Sequence, residues 1–168
     1  MAARTLISVE EYLRTSYSPD CDYVDGEVVE RNLGEYDHSK TQKKVILYLG
    51  KRESEWGIVV VPEQRVQVKP TRFRVPDVCI VLGEPSDQIF VRPPFVCIEI
   101  LSPDDRLSRM QEKVDDYLRM GVAYVWVLDP ATKRAWTVTP ADGWREVKSG
   151  ILKTENPALE VPLAEIFS

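Results

Sequence analysis

One segment, residues 94–101 with the sequence PFVCIEIL, constrains the fold of this chain more than any other. Apart from Glu99, its side chains are apolar on both sides of an extended backbone, which predicts a strand that is buried on both faces. Such a strand lies in the middle of a sheet that has helices packed against it. The chain has 168 residues, of which 43% are hydrophobic, and this is enough for one core. We therefore predict a single α/β (α+β) domain over residues 1–168.

The rest of the pattern predicts a mixed sheet with helices against it. Valine-rich or alternating runs predict strands, and apolar residues at a period of 3.6 predict helices. The predicted strands are 21–24, 27–32, 58–61, 64–69, 73–82, 95–101, 123–129 and 134–140. A short helix is predicted between Ser8 and Thr15, a long one over 37–56, and a second long one that Ser102 caps and Gly121 ends. The final VPLAEIF is expected to form a strand or a turn.

Composition excludes several classes of protein. The formal net charge of −5 argues against a protein that coats nucleic acid or anionic membrane by bulk charge. No apolar run approaches the ~18 residues that span a bilayer, and the first residues lack the apolar stretch of a signal peptide. The cysteines are odd in number and lack CxxC spacing, so they predict buried, reduced thiols: Cys21, Cys79 and Cys97. We expect a cytoplasmic protein with no membrane partner.

Two carboxylates lie in strands that otherwise have the composition of a core. Glu99 lies inside PFVCIEIL, and Asp77 follows Pro76 at the head of VPDVCIVL. If these strands are neighbours, the two carboxylates converge, and they repel each other unless a cation lies between them or one holds a proton. A Mg²⁺ ion would relieve that repulsion, because it binds one or two protein carboxylates and fills its other coordination positions with waters or substrate phosphates. We predict Mg²⁺ as the cofactor, with Mn²⁺ as a substitute.

Lys113 is the third candidate residue. It lies at the edge of the apolar stripe of the second long helix, so its long side chain can extend toward the sheet. An ammonium group there can orient an attacking water or stabilise the charge that develops on a scissile phosphate. Structural alternatives remain open for each residue: Glu99 and Lys113 can form an ion pair, Asp77 can bond backbone amides at a strand start, and Lys113 can be solvated.

Three stretches of the chain also resemble a known family. RVPDVCIV, PFVCIEILSPDDR and EKVDDYLRMGVAYVWVLDP, in that order and spacing, resemble the Uma-two family of restriction endonucleases within the PD-(D/E)XK nuclease superfamily. The resemblance extends from SVEEYL to VWVLDP. It implies a restriction-endonuclease-like mixed sheet flanked by helices, and Mg²⁺-dependent cleavage of DNA. It also implies that Asp77 and Glu99 hold the metal and that Lys113 replaces a strand lysine where Leu101 now stands. The Ile100 carbonyl is predicted to complete the coordination shell.

The family pattern includes two further residues and one departure. His38, the only histidine in the chain, matches an early helix histidine, and Asp22 matches a hairpin acid that is usually Glu. The resemblance places both near the metal, whereas a lone histidine at a helix start can also be a cap or a surface residue. Arg109 stands where relatives often have Asp, four residues before the helix lysine, which can alter a salt bridge or a substrate contact.

A basic stretch is the candidate contact for DNA phosphates. It has four positive charges and no acid, and lysines near His38 can extend it; the alternative is a solvated surface. These residues are Arg65, Lys69, Arg72 and Arg74, with Lys40, Lys43 and Lys44.

Three functions therefore remain open. The first is a Mg²⁺-dependent DNA endonuclease, and the second is a decayed nuclease-like module that binds nucleic acid or a protein partner. The third is a structural homodimer, which a fully paired Glu99 without a cleft would favour. Metal binding separates the first two.

Overall fold

The computed structural model describes residues 4–31 and 34–168. These ranges contain five helices and twelve strands, which confirms the predicted mixture of α and β structure. The helices are α1 (Val9–Arg14), α2 (Tyr36–Gly50), α3 (Glu53–Trp56), α4 (Leu107–Met120) and α5 (Leu163–Ile166). The strands are β1 (Asp22–Val24), β2 (Glu27–Val29), β3 (Ile58–Pro62), β4 (Val66–Lys69), β5 (Arg72–Arg74), β6 (Val78–Leu82), β7 (Val96–Ile100), β8 (Tyr124–Asp129), β9 (Arg134–Thr139), β10 (Gly143–Glu146), β11 (Ile151–Lys153) and β12 (Glu160–Pro162). The end of the predicted strand 27–32 and residues 1–3 of the predicted domain lie outside the described residues.

The main sheet has six strands in the order β10-β9-β8-β7-β6-β3. It is mixed, because β7 and β8 are parallel while its other pairs are antiparallel. All five residues of β7 are buried, so the predicted central strand is confirmed. Val45 and Leu49 of α2 pack on one face of the sheet, and Met110 and Val114 of α4 pack on the other.

A second, antiparallel sheet has the order β2-β1-β5-β4. Its β1–β2 hairpin turns at Asp25 and Gly26, both of which have positive φ, as a tight two-residue turn requires. Helix α1 packs its buried Tyr12 against this sheet. The Ser8 side chain accepts a hydrogen bond from the Glu11 amide at 3.1 Å, so the predicted cap of α1 is confirmed.

The predicted single strand over 73–82 is wrong. The chain forms β5 in the four-stranded sheet, leaves it at Val75 and Pro76, and enters the six-stranded sheet as β6. Proline has no backbone N–H and cannot donate within a ladder, so it favours a break at this point. Asp77 therefore lies at the corner where the chain passes from one sheet to the other.

Both long helices differ from their predicted bounds. The helix predicted over 37–56 stops at Gly50, and a separate turn, α3, follows the break. The second long helix begins at Leu107, so Ser102 is not its cap. Ser102 and Asp105 do bond each other: the Ser102 amide donates to Asp105 Oδ2 at 2.6 Å, and the Asp105 amide donates to the Ser102 carbonyl at 3.0 Å. These bonds close a separate turn before the helix.

Other elements were partly foreseen. The final segment contains β12 and α5, while β10 and β11 were not predicted because four and three residues are too few to show a clear alternation. The predicted buried, reduced thiols are confirmed, since all three cysteines are free and buried. In the described ranges, no helix has the length and apolar character needed to cross a membrane.

Candidate active site

The pairing of β6 with β7 brings the two predicted metal ligands together. Val78 is opposite Ile98 in this antiparallel pair, so the next position along brings Asp77 opposite Glu99. Both point to the same face as Cys79, which packs beneath α4. The side chains of Asp77 and Glu99 are only 5% and 3% exposed. Two carboxylates therefore lie side by side in the interior, at the corner between the two sheets.

The Asp77 carboxylate is fully engaged by its neighbours. Arg31 Nη2 lies 2.6 Å from Oδ1, and His38 Nε2 lies 3.3 Å from the same oxygen. The Ile100 amide donates to Oδ2 at 2.7 Å, and the Gln42 side chain donates to the Asp77 carbonyl at 2.9 Å. These contacts fix both the backbone and the side chain, so Asp77 is held in one orientation.

Charges around Asp77 outweigh the effect of its burial. Burial raises the pKa of Asp77, but the hydrogen bond and charge of His38, with the charge of Arg31, produce a net lowering. For His38, burial disfavours the charged form, yet the bond to Asp77 raises the pKa above its ordinary value. Asp77 is thus the more readily ionised member of the carboxylate pair.

Glu99 has the opposite character. Tyr117 donates its hydroxyl to Glu99 Oε1 at 2.6 Å, and Lys113 Nζ lies 3.9 Å from Oε2. Burial, with repulsion from Asp77 and Asp22, raises the pKa of Glu99 to about 7, although Lys113 and Tyr117 oppose the rise. The negative charge of Glu99 is therefore incompletely balanced by the side chains around it.

Lys113 reaches the sheet as its helix position predicted. Its Nζ lies 3.7 Å from Asp22 Oδ2, in addition to its contact with Glu99. Burial alone would lower the pKa of Lys113, but Glu99, Asp22 and Asp77 raise it, so the ammonium stays charged. Asp22 accepts a hydrogen bond from the Val75 amide at 3.0 Å and is thereby fixed beside the lysine. The structure brings Asp22 to Lys113 and brings His38 to Asp77.

The basic stretch is not a free phosphate-contacting strip. Its three arginines are buried or nearly so, with side chains 14% exposed or less. Each of its four charges has an intramolecular acidic partner: Arg65 pairs with Asp20, Arg72 with Asp25 and Asp116, Arg74 with Asp22 and Asp116, and Lys69 with Asp25. Arg65, Arg72 and Arg74 instead hold α1, α4 and the four-stranded sheet together. The prediction that they contact DNA phosphates is therefore wrong.

A narrow cavity of about 20 Å³ reaches the two carboxylates, and a larger cavity opens on each side of it. Ser102 and Asp105, which belong to the turn before α4, also line this cavity. The exposed Arg109 lines the cavity on one side, together with Lys113 and Arg31. The departure at Arg109 thus adds a positive charge at the edge of the site.

The donor set fits a hard divalent cation. Within residues 4–31 and 34–168, no group of three or more His, Cys, Asp or Glu side chains is arranged to hold an ion. Mg²⁺ does not need such a group, because it binds through one or two carboxylates and retains waters. The buried charge of Glu99, which Lys113 approaches only to 3.9 Å, is what a cation beside Asp77 would balance.

Sequence reasoning missed two residues of the site. Arg31 follows the β1–β2 hairpin, and no periodicity or motif marks it; only its 2.6 Å contact with Asp77 reveals it. Tyr117 has the helical spacing of the apolar stripe of α4 and packs there, but its hydroxyl also donates a hydrogen bond to Glu99. The sequence did hold a signal for this contact. A buried hydroxyl needs a hydrogen-bond partner, so a tyrosine on a helix stripe that faces a buried carboxylate is expected to bond that carboxylate.

The mixed sheet, with two buried carboxylates where β6 begins and β7 ends, has the architecture of a restriction-endonuclease-like, nuclease-type fold. The chain belongs to the Uma2 family, whose model carries the description "Putative restriction endonuclease" and matches residues 9–166. A crystal structure described as "a putative nuclease belonging to DUF820", from Anabaena variabilis, shares the fold with a TM-score of 0.81. The two chains are 20% identical, and the match covers 96% of this chain and 97% of the other. Comparison with curated proteins gives no match.

Proposed function

We propose that this protein is a Mg²⁺-dependent endonuclease that hydrolyses phosphodiester bonds in DNA. The observation that carries the proposal is the buried pair of Asp77, directly before β6, and Glu99, on the neighbouring strand β7, with the Lys113 ammonium 3.9 Å from Glu99. Membership of a restriction-endonuclease family and the shared fold support the same chemistry. The acidic pair and a charged lysine are the groups that metal-assisted phosphodiester hydrolysis needs.

Each side chain has a separate role in this proposal. Asp77 and Glu99 would hold Mg²⁺, or Mn²⁺ in its place, with the Ile100 carbonyl as a further oxygen ligand. When bound, the cation supplies Lewis-acid polarisation of the phosphate and lowers the pKa of water. Lys113 orients the attacking water and stabilises negative charge on the phosphate. Tyr117 positions Glu99 through its 2.6 Å hydrogen bond.

His38 and Asp22 act around this group. His38 holds Asp77 through its 3.3 Å contact, and Asp22 holds Lys113 through its 3.7 Å contact. Both are positioning residues, because each acts through another side chain. The free, buried cysteines fit a reducing compartment, and we assign the protein to the cytoplasm. Formation of a homodimer stays a prediction.

Plasmid nicking in Mg²⁺ or Mn²⁺ tests the proposal. We expect Asp77→Asn and Glu99→Gln to reduce the nicking rate by at least about a hundredfold, the usual scale for loss of an electrostatic or acid–base group. Asp115→Asn is the matched control, because Asp115 is an exposed carboxylate on α4. Nicking that survives both site substitutions at the parent rate would refute the assignment.

One observation favours a second candidate, a nuclease-like module that binds nucleic acid or protein without cleaving it. Arg31 occupies Asp77 Oδ1 at 2.6 Å, so a cation already neutralises one of the two carboxylates. Calorimetry separates the two functions. Binding of Mn²⁺ that Glu99→Gln abolishes supports the nuclease, whereas a DNA complex that forms without measurable Mn²⁺ or Mg²⁺ binding supports the module.

A further inference from the structure

An apolar groove of about 500 Å³ opens beside the two carboxylates. We call it the tryptophan groove, and the start of α4 and strands β8 to β10 form its walls. Its volume falls in the range of roughly 300–1,000 Å³ that is typical of small-molecule sites. Leu107 is 69% exposed and Trp144 is 37% exposed, so much of its apolar surface faces solvent. The apolar lining that matters here consists of Leu101, Leu107, Met110, Val127, Trp136 and Trp144.

The β9–β10 pairing sets the two tryptophans next to each other. Trp144 is opposite Val138, and Trp136 lies two residues before Val138 on the same strand. Side chains at these positions point to the same face of the sheet, so the two indoles are diagonal neighbours. Val138 packs in the core beneath α4, which shows that this face looks toward the groove. Two adjacent indoles offer a surface on which a planar ring can stack.

The groove is continuous with the carboxylate site. His38, Ser102, Asp105 and Met110 line both the tryptophan groove and the narrow cavity that reaches Asp77. A molecule in the groove therefore touches whatever is bound at the carboxylates. This step rests on the proposed function: if a phosphodiester lies at the carboxylates, the groove receives the nucleoside attached to it.

The charge of the lining favours a base over a phosphate. In the described part of the chain, one arginine and four acids line the groove: Arg106, with Glu35, Asp37, Asp105 and Asp129. Negative charge repels phosphate. Carboxylates can accept hydrogen bonds from the exocyclic amino groups of cytosine and adenine. An apolar surface with an acidic rim therefore complements a nucleobase that carries an amino group.

Only an unpaired base can use this surface. Within a duplex, stacked neighbours cover both faces of each base, and enzymes that read a base face act on single strands or extrude the base. We propose that the tryptophan groove binds an unpaired base next to the cleaved phosphodiester. The protein accordingly prefers single-stranded or splayed DNA to a perfect duplex.

Fluorescence anisotropy in Ca²⁺ tests the groove separately from cleavage. The probes are a labelled single-stranded oligonucleotide, its duplex, and a strand of the same length with abasic sites. We expect the parent protein to bind the single strand about tenfold more tightly than the other two probes, and Trp144→Ala to lose this preference. Trp144→Phe should keep most of it, because phenylalanine also stacks. Leu82→Ala is the control, since Leu82 is 48% exposed and lies outside the groove.

Leu107→Ala provides a second variant. We expect it to bind the single strand a few-fold more weakly than the parent does, with unchanged affinity for the other two probes. Equal affinity of parent and Trp144→Ala for the single strand would overturn the groove proposal, even if Asp77→Asn abolishes nicking and the proposed function stands. Conversely, if no DNA is nicked but the preference still depends on Trp144, the proposed function fails and the groove remains a base site. A dimer in sedimentation velocity that Trp144→Ala dissociates would also overturn the proposal, because a second copy would then cover the groove.

Discussion

Glu99 is the residue whose buried charge is least balanced by its neighbours. Its carboxylate has a tyrosine hydroxyl at 2.6 Å, and among the described residues no cation is closer than the Lys113 ammonium at 3.9 Å. Burial is the largest cause of its raised pKa, and nearby acids add to it. Without a metal, the folded protein therefore holds the proton of Glu99 more tightly than the unfolded chain does.

This imbalance gives a pH-dependent prediction for Glu99→Gln. The folded-state pKa is about 7 against an ordinary value of 4.5, so the stability that the protonated form contributes is lost as pH rises through about 7. In EDTA, we expect the variant to be more stable than the parent by roughly 1 to 3 kcal/mol near pH 8, and to match it at about pH 4, below the unfolded pKa. Urea unfolding at both pH values measures this difference. Glu165→Gln, at an exposed position, should show none, and a variant less stable than the parent near pH 8 would contradict the argument.

Arg31 gives a second prediction at the scale of one residue. Its guanidinium binds the same carboxylate oxygen that a cation would need, and its side chain is only 9% exposed. We expect Arg31→Gln to bind Mn²⁺ about tenfold more tightly, because a charge-assisted hydrogen bond no longer competes with the ion. Calorimetry measures the affinity, with Arg14→Gln on the exposed face of α1 as the control. An unchanged or weaker affinity would show that Arg31 and the ion do not compete.

Some residues of the candidate site could be predicted from the sequence and others could not, for a physical reason. Asp77 and Glu99 could be predicted because an acid in an apolar strand violates the usual pattern of burial. Lys113 could be predicted from its place at the edge of a helical stripe. Arg31 lies in an irregular segment where arginine is ordinary, so its contact with Asp77 depends on the folding of two distant segments and has no local signal.

At the scale of elements, a buried ion network joins helix α4 to the four-stranded sheet. Asp116 of α4 accepts from Arg74 Nε at 2.8 Å and lies 3.0 Å from Arg72 Nη1, both on β5. Asp116 is 5% exposed and Arg74 is 4% exposed. Arg72 keeps Asp25 and Arg74 keeps Asp22 as a partner, but loss of the Asp116 charge would leave both guanidinium groups incompletely paired in the interior, which is strongly destabilising.

We therefore expect Asp116→Asn to lower the free energy of unfolding by about 3 kcal/mol. Asp115→Asn, one position away and exposed, should change it by less than about 0.5 kcal/mol. Urea unfolding measures both variants under the same conditions. Equal stability of the two variants would mean that the network contributes no more than a surface pair.

The elements also show where sequence patterns stop being informative. The central strand and most of the stripe of α4 follow from local periodicity: the structure confirms the strand and buries Met110, Val114 and Tyr117, whereas Leu107, expected at the start of the stripe, is 69% exposed. The division of residues 73–82 between two sheets cannot be predicted from local periodicity, because a valine-rich run has the same appearance whether its neighbours belong to one sheet or two. Pro76 was the visible sign of a break, yet a proline at a strand start gives the same pattern.

At the scale of the whole molecule, the distribution of charge matters more than its sum. The net charge is −5, and the arginines of β5 together with Arg65 are neutralised inside the protein. Among the described cations that line the cavities beside the carboxylates, Arg4, Arg31 and Arg74 already pair with acids at 3.3 Å or less. Those left to contact DNA are Arg106, Arg109 and Lys113, whose nearest acid is 3.7 Å away. A DNA molecule bound at this site therefore meets a small number of positive charges.

Binding of DNA should consequently depend only modestly on salt. Each phosphate that is neutralised contributes about 0.7 to 0.9 to the slope of log affinity against log salt concentration, so three contacts predict a slope near −2 to −3. Fluorescence anisotropy across a series of salt concentrations in Ca²⁺ measures it. We expect Arg109→Gln to reduce the magnitude of the slope by about one, because Arg109 is exposed beside the site, whereas Lys148→Gln should not, because Lys148 pairs with Glu146 on β10. A slope steeper than about −6 would require a large basic surface, which the internal pairing of the arginines does not leave available.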